Sequence, residues 1–155
     1  MLAYRTCKVK YAPLDGTGAA ERGGRWNSRG RPVVYAAVSY ANTLLEILVH
    51  RDGIRLPGAH HVAQLDVPDG GVERLASESL PGWDAEASAA ARAFGDRWLA
   101  ERRSVALLVP AMVARPFELN VLVNPLHPDF ARVLEIQRIT VPCDARLAAG
   151  GLATP

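Results

Sequence analysis

Two cysteines in 155 residues, Cys7 and Cys143, lie near opposite ends of the sequence and cannot make a disulfide framework. They fit reduced thiols. No CxxC or HExxH pattern accompanies the four histidines His50, His60, His61 and His127, so the spacing offers no metal site. There is no GxxxxGK(S/T) P-loop, and no GxGxxG follows a strand pattern. A nucleotide bound by this chain would sit on a different fold. The longest apolar region, 33–49, is broken by Ser39, Asn42 and Glu46, which excludes a membrane span. The N-terminus MLAYRTCKVK lacks the apolar core of a signal peptide, so a cytoplasmic protein is expected. A net charge of +2 gives no global basic field, and aromatics are only 6% of the residues; both argue against direct nucleic-acid binding.

One short stretch lacks acids altogether. "RGGRWNSRGR" carries Arg22, Arg25, Arg29 and Arg31 with no carboxylate among them. A solvated loop and an anion site are both consistent with such a cluster. Arginine presents a rigid fork that pairs bidentately with phosphate. Glycines beside it let the backbone approach a ligand closely.

The remaining composition, 49% hydrophobic and 22% charged, is that of a globular domain. Residues 15–31 read as loop. Pro32 to Ala37 reads as a buried strand. Ser39 is placed to cap a helix in which Ala41, Leu44, Leu45, Leu48 and Val49 recur as one buried stripe. Asn42, Thr43, Glu46 and His50 share an adjacent face, and Glu46 and His50 stand one turn apart. Asp52-Gly53 would end this helix. A second strand is expected over 61–67, a loop over 69–86, a helix over 87–102 and a strand in "SVALLVP". Two short strands follow in 111–123, and β-branched residues favour strand in the second half of "ARVLEIQRITV". The tail from about 148 is Ala/Gly-rich and expected to fray. Without a regular βαβ alternation, the class is α+β, with one domain over 1–155.

Tyr35 ends the first strand pattern, where it is either core or a ring that stacks on a flat ligand. Glu46 is either solvated or a carboxylate facing a cleft. In a cleft it could stabilise the positive charge of an oxocarbenium-like state, as in cleavage of an N-glycosidic bond.

"GGRWNSRGRPVVYAA", "LLEILVH", "RSVALLVPA", "NVLVNPLHPDF" and "DARL" together resemble, in order and spacing, the motifs of the RES-domain toxins of bacterial RES–Xre toxin–antitoxin pairs. The resemblance runs from about Asp15 to Leu147. It implies an ADP-ribosyltransferase-like mixed sheet with flanking helices, and an activity on NAD as substrate, without a metal. That activity would be cleavage of the nicotinamide–ribose bond by hydrolysis or phosphorolysis, or transfer of ADP-ribose to a protein. Arg25 matches the arginine of the family name and Glu46 its glutamate. The serine is either Ser104 or a second position that is Ala111 here, and the latter would leave this chain without it. Tyr35, Ser39, His50, Asn120, Asn124 and His127 match other recurring positions. The implied roles are catalytic for Arg25, Tyr35, Glu46 and Ser104, and NAD-binding for Arg25, Tyr35, Ser39, His50 and Asn120. The implied partner is an Xre-family antitoxin with a helix-turn-helix, and a homo-oligomer within that complex is left open. An inactive relative kept for partner binding and a nucleic-acid-binding module are the alternatives from other classes.

Overall fold

The computed structural model describes residues 1–49, 59–142 and 144. His50, the Asp52–Gly53 helix stop, Cys143 and the tail from 148 lie outside the described residues. The α+β expectation holds: seven strands form one mixed sheet with helices packed against it.

In chain order the elements are β1 (Leu2–Cys7), α1 (Thr17–Arg22), β2 (Val34–Ala37), α2 (Tyr40–Val49), β3 (Ala59–Asp66), β4 (Val72–Arg74), α3 (Ala89–Glu101), β5 (Ala106–Pro110), β6 (Leu119–Val123) and β7 (Leu134–Pro142). The strands lie in the order β4-β5-β6-β2-β1-β3-β7. Among the described residues only the β4–β5 pair is parallel. The long β3–β7 ladder forms one end of the sheet.

Three local expectations are overturned, and one strand was not anticipated. The stretch 15–31 contains the short helix α1, whose six residues are too few to be stable on propensity alone. It is held from outside: the Asn27 side chain donates to the Ala19 carbonyl at 2.9 Å, and the Gly30 N–H to that of Ala20 at 2.8 Å. The expected loop 69–86 contains β4, which pairs with β5. A single strand, β6, replaces the two expected in 111–123. The N-terminal segment, in which no strand was expected, becomes β1, between β2 and β3.

Side chains alternate between the two sheet faces. Ala3, Val34, Ala36, Ala63, Leu65, Val121 and Val123 build the core on one face. Leu107, Val109 and Leu122 build the other with Trp26, Trp98 and Leu99. Tyr35 packs against this second cluster, so the site residues described next lie on the α3 side of the sheet.

Candidate active site

The glycine–arginine loop is fixed at three points. Beneath it, the Tyr35 hydroxyl accepts from the Trp26 N–H at 3.1 Å and donates to Asn27 Oδ1 at 2.7 Å. Asn27 is fully buried and its amide donates in turn to the carbonyls of Ala19 and Arg31, both at 2.9 Å. Beside it, α3 contributes Asp96, whose carboxylate takes the Ser28 N–H at 2.8 Å and the Ser28 hydroxyl, and pairs with Arg31 at 3.5 Å. At its far end Arg25 Nη1 donates to the carbonyls of Trp83 and Ala85, both at 2.9 Å. Trp83 stacks on Trp26 with 6.2 Å between ring centroids. Glycine is required at 24, where a Cβ would lie 2.5 Å from the Tyr35 hydroxyl.

These contacts decide what Tyr35 does. Its hydroxyl is a post for the loop, and burial pushes its pKa up to about 12, with a smaller upward push from Asp96. The Trp26 N–H and the guanidinium groups of Arg92 and Arg25 pull it back only in part. The phenol therefore stays neutral at any physiological pH and is no general base. The guanidinium of Arg25 keeps three further N–H donors, on Nε and Nη2, with no hydrogen bond among the described residues.

The second half of the site comes from α2 and β6. Ser39 caps α2 as expected, accepting from the Asn42 N–H at 3.2 Å, while its hydroxyl donates to Glu118 at 3.0 Å. The helix then turns the opposite way from its hydrophobic pattern. Asn42 and Thr43 are 1% and 7% exposed, whereas Leu45 and Val49 are 44% and 60% exposed. The polar face meets the sheet because the sheet answers it with polar groups. Thr43 and Thr6 of β1 share a hydrogen bond of 2.7 Å, and Asn42 Nδ2 donates to Asn120 Oδ1 at 2.8 Å. Asn120 Nδ2 donates onward to Glu46 Oε1, also at 2.8 Å. The result is a relay, Ser39–Asn42–Asn120–Glu46, that fixes the carboxylate.

The register joins the two halves. Tyr35 pairs with Leu122, and Ala37 with Asn120, so Tyr35 and Asn120 share one sheet face as diagonal neighbours about 7–8 Å apart. The arginine loop therefore rests on Tyr35, and Asn120, on the same sheet face, holds the Glu46 carboxylate and the Ser39–Asn42 end of α2. Asn27, Glu118 and Asp96 belong to the arrangement but were not read from the sequence. Helical spacing already puts Asn42 on the face of Glu46, though not as a site residue.

Ser104 does not join this group. It is buried at the start of β5, where its hydroxyl accepts from Trp98 Nε1 at 2.8 Å and donates to the Ala106 carbonyl at 2.9 Å. Both roles of the hydroxyl are spent in the core. Ala111 is fully buried and its N–H donates to the Glu118 carbonyl at 3.1 Å. Asn124 ties α3 to the end of β6 through the Leu99 carbonyl at 3.1 Å, and His127 caps the 3-10 turn 128–132 by accepting the Asp129 N–H.

An open groove of about 480 Å³ lies along the outer side of the loop. Arg22, Gly23, Gly24, Asn27, Ser28, Arg29 and Arg92 line it; Tyr35, Glu46 and Asn120 do not. Hydrogen bonds and register, rather than this cavity, define the candidate site.

The sequence profile of the RES domain matches residues 2–144. The chain is 34% identical over 152 residues to the Toxin Res of Photorhabdus laumondii, covering 95% of this chain and 97% of that protein. It is 44% identical over 124 residues to the Prs ADP-ribosylating toxin of a Sphingobium species, covering 75% and 74%. In fold it is similar to a chain of the crystal structure of the M. tuberculosis MbcT–MbcA toxin–antitoxin complex, with a TM-score of 0.73 over 91% of this chain and 84% of that one. At 19% identity this last likeness speaks for the fold alone.

Proposed function

The chain belongs to the RES domain family, and on that premise we propose that it is the toxin of a bacterial toxin–antitoxin pair and consumes NAD by breaking the nicotinamide–ribose bond. The observation that carries the reading is the carboxylate of Glu46 held at 2.8 Å by Asn120, on the sheet face that also presents Tyr35 beneath the Arg25 loop.

Breaking an N-glycosidic bond with departure of nicotinamide leaves positive charge on the ribose ring. A carboxylate already oriented before the reaction stabilises that charge without reorganising. Asn120 donates to Oε1 of Glu46 and so orients the carboxylate that would meet ribose. Arg25, braced by two carbonyls through Nη1, offers its remaining N–H groups to the pyrophosphate. The Tyr35 ring forms the floor between the two. Ser39 acts through the relay and not on substrate. Ser104 is left out of this mechanism because its hydroxyl is committed inside the core.

Transfer of ADP-ribose to a protein is the second reading, favoured by the 44% identity to a relative named as an ADP-ribosylating toxin. The two differ in which nucleophile reaches the anomeric carbon: water, phosphate or an acceptor side chain. The partner is an antitoxin that covers the site, of the Xre helix-turn-helix type by family resemblance, and the setting is the cytoplasm. Among the described residues no helix is long and apolar enough to cross a membrane.

Product analysis separates the readings. The purified chain is incubated with NAD, with and without phosphate, and then with a cell extract as acceptor source. Free ADP-ribose or its 1-phosphate supports consumption, and a labelled protein supports transfer. Intact NAD in every arm, with soluble folded protein, overturns both.

A further inference from the structure

We propose that the groove on the outer side of the arginine loop is a separate subsite for a dianionic phosphoryl group, either inorganic phosphate or the terminal phosphomonoester of a larger ligand. Three guanidinium groups, Arg22, Arg29 and Arg92, line this groove, and no carboxylate does. None of the three makes an ion pair among the described residues, whereas Arg31, Arg103, Arg115, Arg132 and Arg138 each do. Lack of a partner alone is ordinary for surface arginines. What sets these three apart is their convergence on one concavity.

Asp96, which holds the loop through Ser28, has its charge already engaged by Arg31 and by both donors of Ser28. Two of the three arginines are steadied through Nε, leaving their Nη groups to the groove. Arg92 donates to the Gly24 carbonyl at 3.3 Å, and Arg29 makes a long contact to the Arg22 carbonyl at 3.5 Å. Gly23 keeps the wall open: it holds φ +74, and a Cβ there would press on the Asn27 carbonyl and the Arg29 N–H. A volume of about 480 Å³ is within the usual range for small-ligand sites. Three cationic forks exceed what one carboxylate can engage and match the several acceptor oxygens of a phosphoryl dianion. Neither Arg25 nor Glu46 lines the groove, so an anion seated there is not positioned to attack the ribose. It would instead grip a phosphomonoester on the ligand, and so favour ligands that carry one.

Anion binding is measured directly, without turnover, by titrating the folded chain with inorganic phosphate and following heat and phosphorus line width. Arg22→Gln/Arg29→Gln is the test variant, since both side chains are exposed. Arg97→Gln on the same helix as Arg92 is the control, and thermal melts check folding. The expected result is saturable phosphate binding that weakens at least tenfold in the double variant and is unchanged in the control. Competition then separates the sources: NADP, which bears a phosphomonoester, should displace phosphate more strongly than NAD if the group arrives on a dinucleotide. Equal displacement assigns the subsite to free phosphate. No saturable binding by the wild-type chain, or equal affinity in the folded double variant, overturns the proposal. Arg25→Ala should keep phosphate binding, and absence of NAD cleavage by the wild type would sink the functional reading while leaving the subsite standing.

Discussion

Gly95 of α3 and Trp26 of the arginine loop meet backbone to backbone: a Cβ at residue 95 would run into the Trp26 carbonyl oxygen. The loop therefore owes its position to a missing side chain on a helix about seventy residues later in the sequence. Gly95→Ala is expected to push the loop off α3 and cost roughly 1–3 kcal/mol of stability, the range for overpacking. Thermal melting and NAD turnover should fall together. A melt equal to wild type would show that the loop can shift freely.

Glu46→Gln should fold and lose two to three orders of magnitude in kcat, about 2.7–4 kcal/mol, as when comparable electrostatic groups are removed. Asn120→Ala should do less damage, because it unlocks the carboxylate rather than discharging it. The check is kcat beside a melt for each variant. An Asn120→Ala loss larger than that of Glu46→Gln would reverse the assigned roles.

Arg25→Lys should not restore what Arg25→Ala loses. Lysine keeps the charge but cannot hold two carbonyls through one nitrogen while offering a planar fork to a diphosphate. The expected deficit is roughly 1–3 kcal/mol in kcat/KM. Wild-type kinetics in the lysine variant would leave Arg25 a purely electrostatic role.

Tyr35 gives a pH signature. An unfolded tyrosine ionises near pH 10, whereas burial in the fold holds the proton until about 12. The unfolded state thus releases its proton first as the pH rises. The contribution of the neutral phenol is complete below pH 10 and declines between 10 and 12, by about 2–3 kcal/mol for a two-unit shift. Tyr35→Phe should be less stable at neutral pH, since Asn27 and the Trp26 N–H lose their partner, yet should show a shallower alkaline decline. Parallel stability curves for the two proteins from pH 9 to 12 would contradict this.

Ser104→Ala should reduce stability and leave the kcat of folded protein unchanged. It strands the buried Trp98 indole N–H, a loss of roughly 1–3 kcal/mol. A kcat loss at full stability would return Ser104 to the chemistry.

Legibility from the sequence followed where the cause lay. The cap at Ser39, the strand through Tyr35 (expected over 32–37, found at Val34–Ala37) and the helix expected over 87–102 (found at Ala89–Glu101) depend on local spacing, and local spacing revealed them. β1 was missed because its six residues, LAYRTC, carry mixed polarity and take their place only by pairing with β2 and β3. The grouping of Arg25, Tyr35 and Glu46 was suggested by family resemblance, and no spacing rule could supply the hydrogen bonds that assemble it. For Ser104 the family resemblance implies a catalytic role, and only the packing of Trp98 shows where its hydroxyl is bonded.

Helix α2 also reverses the usual rule for which changes a chain tolerates over generations. Leucine to lysine at position 45 alters an exposed side chain and should pass almost unnoticed by the fold. Threonine to valine at position 43, nearly identical in shape, would leave Thr6 without its partner and loosen the seat of the carboxylate. In descendants of this chain Leu45 and Val49 are free to drift, and the small polar residues Asn42 and Thr43 are the ones that must be inherited.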